Sequence, residues 1–170
     1  MAVKPTINDQ IVDILVDTAD IQPKMGTPST DISADVKRFG TGTLISKQIT
    51  LNTGAPPVTE TLFTVTGEVE VVVIGYIDVA VTSGDALTLE VGVTGATTGL
   101  IALTAVANLT IDKLWIDVTP AVLVTKPSWK VIANGADIVH TIRDFAATAG
   151  QITYYCWWRP LSTDGNVVAA

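Results

Sequence analysis

Few side chains in this sequence are equipped for chemistry. There is one histidine, His140, and one cysteine, Cys156. A thiol beside an imidazole is a nucleophile–base pair if the fold brings the two within hydrogen-bonding reach, and it then needs an orienting acid and an oxyanion hole. Asp144 is the acid nearest His140 in sequence. No nucleophile-elbow sequence surrounds Cys156, which lies between Tyr155 and Trp157 in an apolar run and reads as an inert packing thiol. The pair would support a hydrolase only in an open cleft. Packing roles for both are the simpler expectation, and no catalytic residue is assigned.

The remaining candidates also have plainer readings. Glu68 and Glu70 share one face of a strand, but no opposing acid across a cleft is identifiable, so a glycosidase pair is unsupported. Their expected role is to keep a face soluble or to pair with a neighbouring cation. A lone cysteine excludes an intrachain disulfide and any zinc site that needs two or more thiolates, and no Asp-rich calcium loop is present. No metal or cofactor is expected. Gly92-Val93-Thr94-Gly95 through Gly99 lacks the Lys-Ser/Thr of a phosphate loop and joins two strands, so it reads as a hairpin loop. Gly40-Thr41-Gly42 fails as a dinucleotide fingerprint for the same reason. Asn108-Leu109-Thr110 matches a glycosylation sequon, which has no consequence without secretion. Trp115, Trp129, Trp157, Trp158, Tyr154 and Tyr155 are enough rings for a sugar-stacking platform. Core packing and subunit anchoring are the more economical use of them.

The elements that must position these residues are strands. Gln151–Trp158 is dominated by β-branched and aromatic residues without Gly or Pro. Alternation places Ile152, Tyr154, Cys156 and Trp158 on one face and Gln151, Thr153, Tyr155 and Trp157 on the other. Both faces carry large rings, so one is expected to meet the core and the other a second sheet, a subunit or a ligand. Further strands are predicted at 43–51, 58–66, 68–82, 86–93, 100–107, 114–118, 129–133 and 138–142. Turns are predicted at Thr82–Asp85, Asn134-Gly135 and Ala149-Gly150, with a loop over 94–99 and a turn or bulge at Gly67. Val69, Val71 and Val73 face one way; Glu68, Glu70 and Val72 face the other. The expected fold is all-β, an antiparallel β-sandwich or jelly-roll-like barrel spanning residues 41–170.

Residues 1–40 differ in texture and are expected to form an extended N-terminal arm and linker. Aspartates recur there, with Pro5, Pro23 and Pro28 as punctuation, and 22–33 reads as linker. Asn8–Val16 supports two readings: Ile7, Ile11, Ile14 and Leu15 have helical spacing, while the β-branched content favours an extended segment.

The bulk properties narrow the function classes. The net charge is −7 and charged residues make up 16% of the chain, which argues against nucleic-acid binding through a basic surface. The most apolar run, 69–80, is interrupted by Glu70 and Asp78 and is too short to span a bilayer, so no membrane partner is expected. MAVKPTINDQ has no apolar h-region, and synthesis in a cytoplasm without an export route is the expectation.

Tyr155-Cys156-Trp157-Trp158-Arg159-Pro160-Leu161-Ser162, followed by Asp164-Gly165-Asn166-Val167-Val168-Ala169, resembles the closing segment of a group of tailed-bacteriophage structural proteins. Leu62–Gly67, Glu90–Gly95 and Lys130–Ile138 are similar to the same group, so the likeness covers roughly 58–170. Order and spacing carry it more than any one segment. The resemblance implies a virion component made in a bacterial host, and within that class a non-enzymatic head decoration, or cement, protein whose partner is the major capsid protein. A tail, collar or fibre-associated protein is the alternative within virions, and a carbohydrate-binding module the alternative outside them. The resemblance supplies no catalytic residues. Residues 1–57 lie outside it, and the arm is expected on physical grounds to add a strand to a capsid subunit's sheet edge. A symmetric homo-oligomer, a trimer, would bury the second aromatic face. The expected subunit or capsid contacts are Ile11, Ile14, Leu15, Tyr155, Trp157 and Arg159.

Overall fold

A computed structural model of the chain describes residues 42–52, 56–125 and 127–170. The expected arm, with Ile11, Ile14 and Leu15, lies outside the described residues. The described part is a sandwich of two antiparallel sheets. Its strands are β1 (Thr43–Thr50), β2 (Val58–Thr66), β3 (Val69–Ser83), β4 (Thr88–Val93), β5 (Ala96–Ala105), β6 (Leu114–Trp115), β7 (Lys130–Ile132), β8 (Ile138–Arg143), β9 (Ala147–Pro160) and β10 (Asn166–Ala169). Sheet A runs β1-β9-β3-β6, with β7 also on β3; sheet B runs β10-β2-β8-β4-β5. The all-β sandwich expected from the alternation is therefore the fold.

The two longest strands pair with each other. β3 and β9 run antiparallel from Val69 opposite Pro160 to Ser83 opposite Ala147. Their apolar alternation turns Val69, Val71, Val73, Ile77, Ile152, Tyr154, Cys156 and Trp158 inward. From sheet B, Phe63, Val65, Leu89, Val91, Ile138 and Ile142 complete a single core. Each such side chain is worth about 1.5–3 kcal/mol when fully buried, which is why the inward positions set the pairing register.

Several boundaries differ from expectation. The turn predicted at Ala149-Gly150 is absent: both residues lie within β9, where bulges between Ile77 and Ser83 bend the ladder. Gly150 has φ +148, and a Cβ there would lie 3.0 Å from Val81 Cα, so glycine marks a close approach of strands rather than a chain reversal. The predicted loop over 94–99 contracts to a tight turn at Thr94-Gly95, and β5 begins at Ala96. Gly92 makes this possible, since a Cβ there would collide with the Ala96 carbonyl. The strand predicted at 114–118 is only Leu114–Trp115, because the following chain folds back to pair Leu114 with Ala121.

Candidate functional site

Three groupings of side chains stand out: a polar bridge through the core and the outer faces of the two sheets. The bridge begins at His140 on β8, which points inward and has no solvent exposure. Its neighbour across the ladder on β2 is Glu60, and its Nε2 lies 3.0 Å from Glu60 Oε2. Its Nδ1 lies 3.0 Å from the hydroxyl of Tyr154, which reaches across from sheet A. Burial lowers the imidazole's affinity for a proton and outweighs the Glu60 carboxylate, which acts in the opposite direction. The ring is therefore neutral: Nε2–H donates to Glu60, and the Tyr154 hydroxyl donates to Nδ1. Burial also raises the Tyr154 pKa, which keeps that hydroxyl protonated. On the same side of the sandwich, Lys47 Nζ of β1 donates to the Thr61 carbonyl of β2 at 2.9 Å, a second tie between the sheets.

This arrangement leaves the conceivable Cys156–His140 nucleophilic pair without support. Both ring nitrogens of His140 are engaged elsewhere, and Cys156 is buried on the inner face of β9, where burial pushes its thiol up to about 12. The carboxylate on His140 is Glu60, not Asp144. Asp144 sits at φ +72 just after β8 and accepts from Thr88 Oγ1 at 2.8 Å. Among the described residues no three His, Cys, Asp or Glu side chains gather in a metal-binding group. A cleft of about 260 Å³ between the β4–β5 hairpin and β7 is lined by Val93, Leu100, Ile132 and Ala133, with Lys130 and Asn134 among its polar members.

The outer face of sheet A is the more distinctive surface. On β9 it carries Thr153, Tyr155, Trp157 and Arg159. Register sets Leu44 and Val72 beside Trp157, Ser46 and Ile74 beside Tyr155, and Gln48 and Tyr76 beside Thr153. The Tyr155 and Trp157 rings are 6.5 Å apart at 36° and, among the described residues, are partly exposed beside these neighbours. Leu44 is 50% exposed, and Val131, opposite Glu70 on β7, is 62% exposed. At one end Arg159 Nε meets Glu70 Oε2 at 2.5 Å, and the guanidinium lies 5.1 Å from the Trp129 ring centroid. At the other end Asp78 accepts from Thr153 Oγ1 at 2.7 Å and from Gln48 Nε2 at 3.4 Å, while Tyr76 donates to Asp112 at 2.8 Å.

The aromatic residues divide accordingly. Trp115, Tyr154 and Trp158 belong to the core, and Trp115 Nε1 donates to the buried Thr104 hydroxyl at 2.9 Å. The Trp158 Nε1 is buried without an acceptor among the described residues. Tyr155 and Trp157, both expected contact residues, lie together on the outer face. Arg159 joins them there, already paired with Glu70 of its own chain. Sequence reasoning did not single out Glu60, Lys47, Gln48 or Asp78, since only the strand register shows what they face. Compared with protein-family models, curated proteins and solved structures, the chain finds no match.

Proposed function

We propose that the chain is a non-enzymatic structural component of a tailed-phage virion, a head decoration protein that bridges capsid subunits. The observation that supports this reading best is the outer face of sheet A. A rigid two-sheet body presents Leu44, Tyr155, Trp157, Ile74 and Val131 outward, where an isolated sandwich ordinarily places polar residues. Such a face suits contact with another protein. The resemblance of 58–170 to phage structural proteins supplies the biological setting, and residues 1–40 supply the attachment arm.

Immunogold labelling of phage particles from the source with antibody to this protein tests the reading. Label spread over heads supports decoration. Label confined to tails or necks moves the protein to the tail-associated class, and particles without label remove the virion reading. Deleting residues 1–40 is expected to leave a folded body that no longer binds heads.

One observation favours a second reading, a carbohydrate-binding module. The Tyr155–Trp157 pair adjoins the Asp78–Gln48–Thr153 hydrogen-bonding cluster, an aromatic surface next to groups that could hold hydroxyls. A glycan array decides it: a glycan bound by the wild type and lost in Trp157→Ala would favour that reading.

A further inference from the structure

The bend between β7 and β8 holds the sequence Asn134-Gly135, whose two residues can react with each other. The backbone nitrogen after an asparagine can attack the side-chain carbonyl carbon, and glycine has no Cβ to obstruct the approach. In a folded chain the reaction needs a side chain free to swing and an N–H not tied to an acceptor. Among the described residues Asn134 is the one asparagine followed by glycine. It is exposed, and neither its side chain nor the Gly135 N–H has a hydrogen-bond partner among the described residues. Gly135 has room around it: a Cβ there would approach nothing closer than the Val65 carbonyl at 3.4 Å. The chain is anchored just downstream. Asp137 Oδ1 accepts from the Val65 N–H at 3.0 Å, and the Asp137 carbonyl accepts from the Thr94 N–H at 2.9 Å. The bend can therefore change while β8 stays in place.

Other stretches of the chain show what protection looks like. Asp164-Gly165 is the aspartyl counterpart of the same pair. There the Gly165 N–H donates to the Ser162 carbonyl at 3.1 Å, and Asp164 Oδ1 accepts from Ser162 Oγ at 2.6 Å. A Cβ at Gly165 would lie 2.6 Å from the Glu68 carbonyl, so the nitrogen, the carboxylate and the space between strands are all engaged. Asn108 donates to the Val118 carbonyl at 3.2 Å, and the following Leu109 N–H donates to Val106 at 2.9 Å.

We propose that Asn134 is a self-modification site, at which the Gly135 nitrogen closes on Asn134 Cγ in the folded protein and converts the amide to a carboxylate. The Gly135 nitrogen gives its proton to solvent base and bonds to Cγ. The Cγ–Nδ2 bond breaks, and Nδ2 takes up a proton and leaves as ammonia. One water then opens the five-membered imide. Attack at Cγ restores the ordinary chain with an aspartyl residue; attack at the backbone carbonyl carbon leaves an isoaspartyl residue, with the chain running through Cγ. Either product adds one negative charge to the wall of the cleft between the β4–β5 hairpin and β7. Lys130 lines the same cleft and has no ion pair among the described residues, so the reaction supplies that cleft with an acid. The proposal is independent of what the outer face of sheet A contacts.

The test ages the full-length protein at neutral and at mildly alkaline pH, with circular dichroism to show that it stays folded, and then digests it with trypsin. Asn134 carries the only side-chain amide in the peptide 131–143. That peptide is expected to gain about 1 Da, to gain it faster at the higher pH, and to become a substrate for isoaspartyl methyltransferase. Asn134→Asp provides the mass and charge standard for the ordinary product. Asn134→Gln, which would have to close a larger ring, is expected to keep its mass. The free synthetic peptide 131–143 provides the time base. An unchanged folded chain once the free peptide has converted, or conversion seen only in urea, overturns the proposal. Equal conversion in Asn134→Gln means direct hydrolysis of the amide and overturns it as well. Isoaspartate forming at Asp164 sooner than at Asn134 overturns the argument from hydrogen bonding.

Discussion

The two outer faces of the sandwich solve the same problem differently. Each carries one Arg–Glu pair between neighbouring strands. On sheet B, Arg143 grips Glu90 through Nε at 2.9 Å and Nη2 at 2.6 Å, and also reaches Thr97. Around that pair the face is largely threonine: Thr59 and Thr141 hydroxyls meet at 3.1 Å, and Thr88 donates to Asp144. On sheet A, the Arg159–Glu70 pair stands at the end of an apolar and aromatic field. Sheet B's face ties its polar groups to one another and leaves Leu103 and Val168 exposed singly, while sheet A's sets the exposed Leu44 beside the partly exposed Tyr155 and Trp157 rings. A hydrogen-bonded threonine surface is complete alone; a surface that sets an exposed Leu44 beside partly exposed Trp and Tyr rings gains from a partner.

The largest expected effect sharpens the contrast between the two ion pairs. Glu90 is only 1% exposed, so Arg143→Ala strands a buried carboxylate and is expected to give the largest loss of folding stability of these variants in urea titrations. A loss below about 1 kcal/mol would show that Glu90 is effectively solvated and erase the distinction.

Between the faces, His140 predicts a pH dependence. Its folded pKa lies below the ordinary 6.5, so its contribution is fully present above pH 6.5. As pH falls below 6.5 the unfolded chain takes up a proton that the folded chain refuses, and stability drops until the folded value is passed. The slope approaches about 1.4 kcal/mol per pH unit for one group. His140→Gln is expected to remove this part of the profile, measured as urea midpoint against pH; an unchanged slope between pH 6.5 and 5 would rule out the histidine as its source. Asp164 acts in a lower window. The Ser162 hydrogen bond depresses its pKa below 3.8, so its stabilisation is present above that value and fades as pH falls through the folded one.

On sheet A, Trp157→Thr at a concentration that favours single chains is expected to cost less than Trp115→Ala, since the Trp157 ring is partly exposed and Trp115 is fully buried. A thermal shift as large as that of Trp115→Ala in the core would mean that the outer face stabilises the isolated chain. Arg159→Ala is the smallest expected change, below about 1 kcal/mol, because Glu70 at 17% exposure still reaches water. Equal losses for Arg159→Ala and Arg143→Ala would collapse the comparison.

Much of the sandwich was legible because strand alternation is a local property. Val69, Val71 and Val73 turned inward as their spacing required, and the two faces of Gln151–Trp158 were separable from the residues alone. Two of the boundary errors involve glycine. Gly150 looks like a chain reversal by composition, and the chain around Gly92 and Gly99 like a longer loop than the turn at Thr94-Gly95, yet glycine also serves where strands approach closely, and only the neighbouring strand distinguishes the two uses. The candidate site was legible in part: Tyr155, Trp157 and Arg159 fall together on one face because one strand carries all three. Their surroundings were not legible, since Leu44, Gln48, Ile74 and Asp78 arrive from strands distant in sequence.

From the sequence alone came the all-β class, the two-sided aromatic strand, the acidic low-charge composition, and the absence of recognisable catalytic and metal-binding motifs. Tertiary structure decided which aromatic face is core, that Glu60 rather than Asp144 serves His140, and that Arg159 finds Glu70 within its own chain. Side-chain periodicity follows from backbone geometry residue by residue, so sequence shows it. Pairing partners 80 to 89 positions apart are chosen by the burial and hydrogen bonding of the whole sandwich, which no short stretch encodes.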